Sequence, residues 1–146
     1  MKLGKLRTLR GQIAASGGLA KKNLIASDGL VNFGLKIVSF RIWNEQTPTA
    51  GSTFTGILSL DTIASGDNMN AGDNRQIAWT FANSNSLASI VSMQSIIDPD
   101  HIVNRDLFLT MDNTSAGIYN YLIECQVVEL TDDEAIITII KETSQS

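Results

Sequence analysis

His101 is the single histidine of a 146-residue chain, and Cys125 is its single cysteine. Any imidazole-based nucleophilic mechanism must therefore pass through His101. It follows Asp98-Pro99-Asp100 and precedes Asp106, so carboxylates that could orient or charge the ring are near in sequence. No nucleophile is marked out to accompany it, and no Gly-x-Ser-x-Gly occurs. The simpler reading is a turn histidine bonded to a neighbouring Asp or backbone group. One His and one Cys also exclude a zinc site built within the chain from those residue types alone. Cys125 shares a predicted strand face with Tyr121, Ile123 and Val127, the setting of a thiol that packs as a small hydrophobe. Asp67-Asn68-Met69-Asn70-Ala71-Gly72-Asp73-Asn74 is rich in oxygen ligands. Counted from Asp67, however, Met69 and Ala71 fall where an EF-hand needs donors, and Asn and Asp also dominate ordinary turns. Asn113-Thr114-Ser115 has the glycosylation spacing and reads as a plain turn. The glycines from Gly11 to Gly18 lack phosphate-loop spacing. Together these residues predict no enzymatic activity, no metal and no cofactor.

Charge is the more informative property. The net charge is −4, with 43% hydrophobic and 18% charged residues. Residues 1–41 hold eight cations against Asp28, a net of +7; residues 42–146 hold three against 14 carboxylates, a net of −11. A basic segment on an acidic body predicts an arm that touches a polyanion, an acidic surface or a neighbouring subunit. Within it Leu3, Leu6, Leu9 and Ile13 recur at helical spacing beside Lys2, Lys5, Arg7 and Arg10, which predicts a short amphipathic helix. Gly4 and Gly11 weaken such a helix by about 1 kcal/mol each relative to Ala, leaving an extended arm as the other form. Lys21 and Lys22 follow the break at Gly17-Gly18. These ten cationic and apolar residues, from Lys2 to Lys22, are the candidate contact residues. The arm carries no aromatic residue, so base stacking is not offered there. No apolar run is long enough for a membrane span, and no continuous apolar stretch marks a secretory signal peptide.

The remainder of the chain reads as strands. Residues 35–43, 53–61, 75–82, 87–97, 105–111, 118–130 and 135–142 have strand patterning, with 23–31 as an eighth candidate. In 35–43, Val38, Phe40 and Ile42 oppose Leu35, Ile37 and Trp43, as in a strand covered on both faces. Ile77, Trp79 and Phe81 alternate with Gln76 and Thr80 and predict a core face. Tyr119, Tyr121, Ile123, Cys125 and Val127 do the same. Thr131-Asp132-Asp133-Glu134 reads as the turn of a C-terminal hairpin. The result is an all-β architecture of about seven or eight strands, an antiparallel sandwich or a closed barrel, with the sandwich preferred. Residues 1–29 form the arm, 30–142 the domain and 143–146 a polar tail.

A basic arm feeding one compact β-domain resembles the small single jelly-roll capsid and capsid-associated proteins of virions. The likeness is one of layout: the arm Met1–Lys22 followed by the strand series, with no family motif matched and no functional residue carried over. It implies a jelly-roll-like fold and a structural protein that self-assembles into a shell, vertex or other particle component. It implies as partners copies of itself and other virion proteins, with nucleic acid or an acidic membrane reached through the arm, and no small-molecule substrate. The implied location is the virion, assembled in the host cytoplasm. A different reading of the same strands is a sandwich that binds a carbohydrate or protein ligand through loops 65–74 and 112–117. In that case the arm is incidental.

Overall fold

The computed structural model describes residues 2–15, 19–24, 32–45, 52–66, 68–84, 90–114 and 117–137. Among the described residues nine strands occur in order: β1 (Lys2–Ala15), β2 (Leu19–Leu24), β3 (Phe33–Asn44), β4 (Ser52–Ser59), β5 (Gln76–Ser84), β6 (Ile90–Ile97), β7 (Ile102–Val103), β8 (Leu107–Asn113) and β9 (Gly117–Glu129). They form two antiparallel sheets. Sheet A has the order β1-β9-β3-β7 and sheet B the order β2-β8-β4-β5-β6. The predicted all-β sandwich is the architecture observed.

The core lies between the sheets. Sheet A contributes Leu35, Ile37, Phe40 and Ile42 from β3 and Tyr119, Tyr121, Ile123 and Cys125 from β9. Sheet B contributes Phe54 and Leu58, then Leu107, Leu109 and Met111. Burying each large side chain contributes roughly 1.5–3 kcal/mol. At its far end Tyr119 meets Phe54 edge-on, ring centroids 5.3 Å apart. Asn113 donates to the Tyr119 hydroxyl at 3.2 Å and is itself buried.

Two β-bulges change the predicted faces. In β3 the register against β9 slips between Ile37 and Ser39. Val38 is the extra residue and is 48% exposed. The bulge turns both Leu35/Ile37 and Phe40/Ile42 inward, although they differ in parity. Trp43 and Arg41 therefore face outward, and the strand is not covered on both sides as its sequence suggested. In β5 a slip beside Ser59 puts Ala78, Thr80 and Ala82 inward and Trp79 and Phe81 on the outer face, half-buried. The predicted Trp79/Phe81 core face is thus corrected. Space is the reason: a Cβ on Gly56, opposite Thr80, would meet Ile42 Cδ1 at 2.3 Å and Phe40 Cζ at 3.4 Å. Sheet B must be small there to receive those side chains from sheet A.

Two further expectations are corrected. Residues 2–15 are not helical. They form the edge strand of sheet A, paired with β9 from Lys2↔Glu129 to Ala15↔Gly117. In that register Leu9 and Ile13 reach the core and β9 supplies the backbone partners, so a strand bonds more completely than a marginal short helix. β2 is the edge strand of sheet B and places Leu24 in the core. The second correction concerns 135–142, read as a returning strand. Residues 132–137 are helical. Thr131 Oγ1 accepts from the Glu134 amide at 3.2 Å, and Glu134 Oε1 accepts from the Thr131 amide at 3.1 Å. This is a capping box. Ala135 then packs with Val128, Leu130 and Ile102 in a second small core on the outer face of sheet A. Residues 138–146 lie outside the described residues, as do 25–31 of the eighth predicted strand.

Candidate functional site

His101 and Cys125, the residues the sequence singles out for nucleophilic chemistry, are both buried. His101 is buried after the Asp98–Asp100 turn, in which the Asp100 amide donates to Asp98 Oδ1 at 3.0 Å. Cys125 is buried inside sheet A, and burial raises its thiol pKa to about 11 against a smaller opposing effect of Arg7. Among the described residues no group of three or more His, Cys, Asp or Glu is placed to hold a metal ion.

The polar segment after β4 spends its groups on itself. Arg75 clasps Asp73 through Nε to Oδ1 at 3.0 Å and Nη2 to Oδ2 at 2.9 Å. This fork holds the Asp73 carboxyl below its usual range. The Gln76 side chain accepts from the Asn70 amide at 2.9 Å and from Trp79 Nε1 at 2.8 Å, and donates to the Asn68 carbonyl at 3.0 Å. Asn70 Oδ1 accepts from the Gly72 amide. Thr55 Oγ1 donates to the Gly66 carbonyl, and Gly66 lies against the backbone of Met111 and Asp112. The segment folds over the outer face of sheet B, where Ile57 and Ile63 are buried and Trp79 is half-buried. The side chains of Asp73, Arg75 and Gln76 and the Oδ1 of Asn70 are thus engaged within the segment. Asp67 lies outside the described residues.

The candidate contact residues of the basic segment are divided by the strand geometry. Leu9 and Ile13 point inward. Leu3 and Leu6 stand on the outer face of sheet A, 61% and 65% exposed. A register slip between them, at Gly4 and Lys5, is held by Gln126, whose amide donates to the Gly4 carbonyl. Lys2, Lys5, Arg7 and Arg10 are exposed along the edge. On β2, Lys21 is exposed. Lys22 leans back over the Tyr121 ring, 5.3 Å from its centroid, and donates to the Gln12 carbonyl at 3.0 Å. That contact closes the β1/β2 side of the sandwich. The opposite side is closed by Ser95, whose hydroxyl donates to the Phe40 carbonyl at 2.5 Å.

The outer face of sheet A holds a second grouping that the strand patterns did not mark. Register aligns Gln12, Asn120 and Trp43 in one row across β1, β9 and β3, and Arg10, Leu122 and Arg41 in the next. Gln12 Nε2 donates to Glu45 Oε2 at 2.8 Å and to Asn120 Oδ1 at 3.0 Å. Trp43 is 42% exposed. The sequence signal for this face was the single large residue, Trp43, out of phase with Phe40 and Ile42.

No protein-family model matches the chain, and a search of curated proteins finds no match.

Proposed function

We propose that this chain is a self-assembling structural subunit of a virus particle and that its two sheets are wound as a single jelly roll. The observation that carries the reading is the pairing order. β1 pairs with β9, β2 with β8, β3 with β7 and β4 with β5. A chain folded back on itself as one long hairpin and then rolled into two sheets has this nesting, with β6 as an added strand beside β5. Jelly rolls serve viral shells and lectins alike, so the winding alone does not choose between them.

The edge of sheet A favours assembly. β1 runs for 14 residues, and no described strand pairs with its outer side. Natural edge strands of this length are usually shortened, covered or charged against association. This one carries charge and a bulge, yet it also leaves Leu3 and Leu6 in water. The rest of the molecule supplies a complementary surface. Asp61, Asp73, Asp98, Asp100, Asp106, Glu129, Asp132, Asp133 and Glu134 lie at or beside the end of the sandwich where β4, β6 and β9 finish. A cationic edge on one copy meeting an acidic end on the next is a head-to-tail contact, and such contacts build rings or shells when the rotation between copies closes.

Light scattering after size exclusion, with electron microscopy of the eluate, tests this. The wild type should form closed assemblies. The double variant Leu3→Glu, Leu6→Glu should keep the wild-type circular dichroism spectrum and elute as a monomer. A wild type that stays monomeric at every concentration, or a double variant that assembles normally, overturns the reading.

A further inference from the structure

We propose that the outer face of sheet A binds an anionic glycan chain, with Trp43 stacking on a sugar ring and Arg10 and Arg41 taking its carboxylate or sulfate groups. This goes beyond assembly and uses a different part of the sheet from Leu3 and Leu6. Four features of the face lead to it.

The face is an open platform. Arg10 and Gln12 on β1, Asn120 and Leu122 on β9, and Arg41 and Trp43 on β3 lie in two adjacent rows of three strands. The small helix covers Val128 near the other end of β9 and leaves these rows open. The aromatic residue is presented as well as exposed: the β3 bulge sends Phe40 and Ile42 into the core and turns Trp43 out. An exposed indole on a sheet has an apolar body and one polar handle, which suits the apolar C–H face of a pyranose ring.

Hydrogen-bonding groups lie beside the indole and are already oriented. Gln12 holds Asn120 and Glu45 through its Nε2. The Gln12 side-chain oxygen Oε1, the Asn120 amide nitrogen Nδ2 and the second Glu45 oxygen are left for hydroxyl groups. Ordering these side chains before a ligand arrives lowers the entropy lost on binding.

Charge selects the class of glycan. Arg10 and Arg41 flank Leu122 with their Cα atoms about 10 Å apart, two strand spacings. Lys36 lies further along the same face of β3, and both arginines are exposed. The facing acids are Glu124, in the row after the arginines, and Glu45, which is bonded to Gln12. Guanidinium groups form paired bonds with carboxylate and sulfate. A linear polymer bearing an anion on alternate residues can reach both arginines while one ring stacks on Trp43. A neutral glycan would leave the arginines unused.

The test is isothermal titration of the full chain with three oligosaccharides of equal length: a sulfated one, a polyuronate and a neutral glucan. At least one charged probe should bind, the neutral glucan should bind more weakly or not at all, and binding should quench tryptophan fluorescence. Trp43→Ala should weaken binding roughly ten-fold. Arg41→Glu should abolish it, and the Arg10→Ala, Arg41→Ala pair should flatten its salt dependence. Circular dichroism checks that each variant folds, and Arg41→Glu carries the test if Trp43→Ala does not. Lys21→Ala, on the edge of sheet B, should bind as wild type does. The proposal fails if no charged probe binds, if the neutral glucan binds as tightly, if Trp43→Ala and Arg41→Glu keep wild-type affinity, or if Lys21→Ala loses as much as Arg41→Glu.

Discussion

Gly56 marks a close approach of the two sheets. Its missing side chain leaves room for Ile42 and Phe40, and Thr80 faces it from β5. Gly56→Ala adds one methyl group where a core side chain must move, and overpacking of that kind costs about 1–3 kcal/mol. Urea denaturation should show the loss as a lower midpoint with an unchanged slope. Cys125 offers a prediction in pH. Its folded pKa of about 11 stands above the ordinary 9.0 because burial disfavours the thiolate. Below pH 9 the thiol is neutral in both folded and unfolded chains, so its contribution is fully present. Between about pH 9 and 11 only the unfolded chain ionises, and stability falls by up to roughly 2–3 kcal/mol. Other groups titrate in that range, so the measurement is a difference. Wild type should lose more stability than Cys125→Ala between pH 9 and 11, and an equal loss would mean that the thiol ionises as readily when folded.

Among the elements, β1 decides how the N-terminal segment is understood. An arm is dispensable for folding, whereas a strand that supplies Ile13 to the core is not. β2 supplies Leu24 in the same way. Deleting residues 2–22 removes an edge strand from each sheet and uncovers β9 and β8, so the truncated chain should unfold or aggregate. Circular dichroism with light scattering reads this directly, and a soluble, native-like truncation would restore the arm. The helix at 132–137 is a different lesson. Its start was legible, because Thr131-x-x-Glu134 is a capping-box signature before an apolar run. The β-branched residues after it pulled the reading towards a strand, while the helical choice lets Ala135 close the small core over Val128.

At the scale of the molecule, folding carries most of the division along the sequence onto the surface, although β1 begins with Lys2 beside Glu129 at the acidic end. The cations of residues 2–41 fall on β1, β2 and β3, and most described carboxylates gather at one end. If copies associate through these surfaces, the contact is largely between exposed charges. Salt screens such contacts, with a Debye length of about 10 Å at 0.1 M and 3 Å at 1 M. The assembled fraction seen by light scattering should therefore fall steeply between those two salt concentrations. The leucines alone predict the reverse, since apolar association is not weakened by salt in that way.

The fold class was legible in the sequence because a strand's alternation is local, and Tyr119 to Val127 carry it without interruption. The charge division was legible for the same reason, being a property of residue types and their order. Which side of β3 and β5 faces the core was not. A single bulge at Val38 reverses every later side chain in β3, and its position depends on the partner strand β9. Trp79 was read as core from the alternation of Ile77, Trp79 and Phe81 with Gln76 and Thr80, but the space opposite belongs to Phe40 and Ile42 of the other sheet. The segment 2–15 is a strand for a reason that lies more than a hundred residues away, in the backbone groups of β9. The row of Arg10, Leu122 and Arg41 joins three distant stretches of chain, and only strand register can bring them side by side.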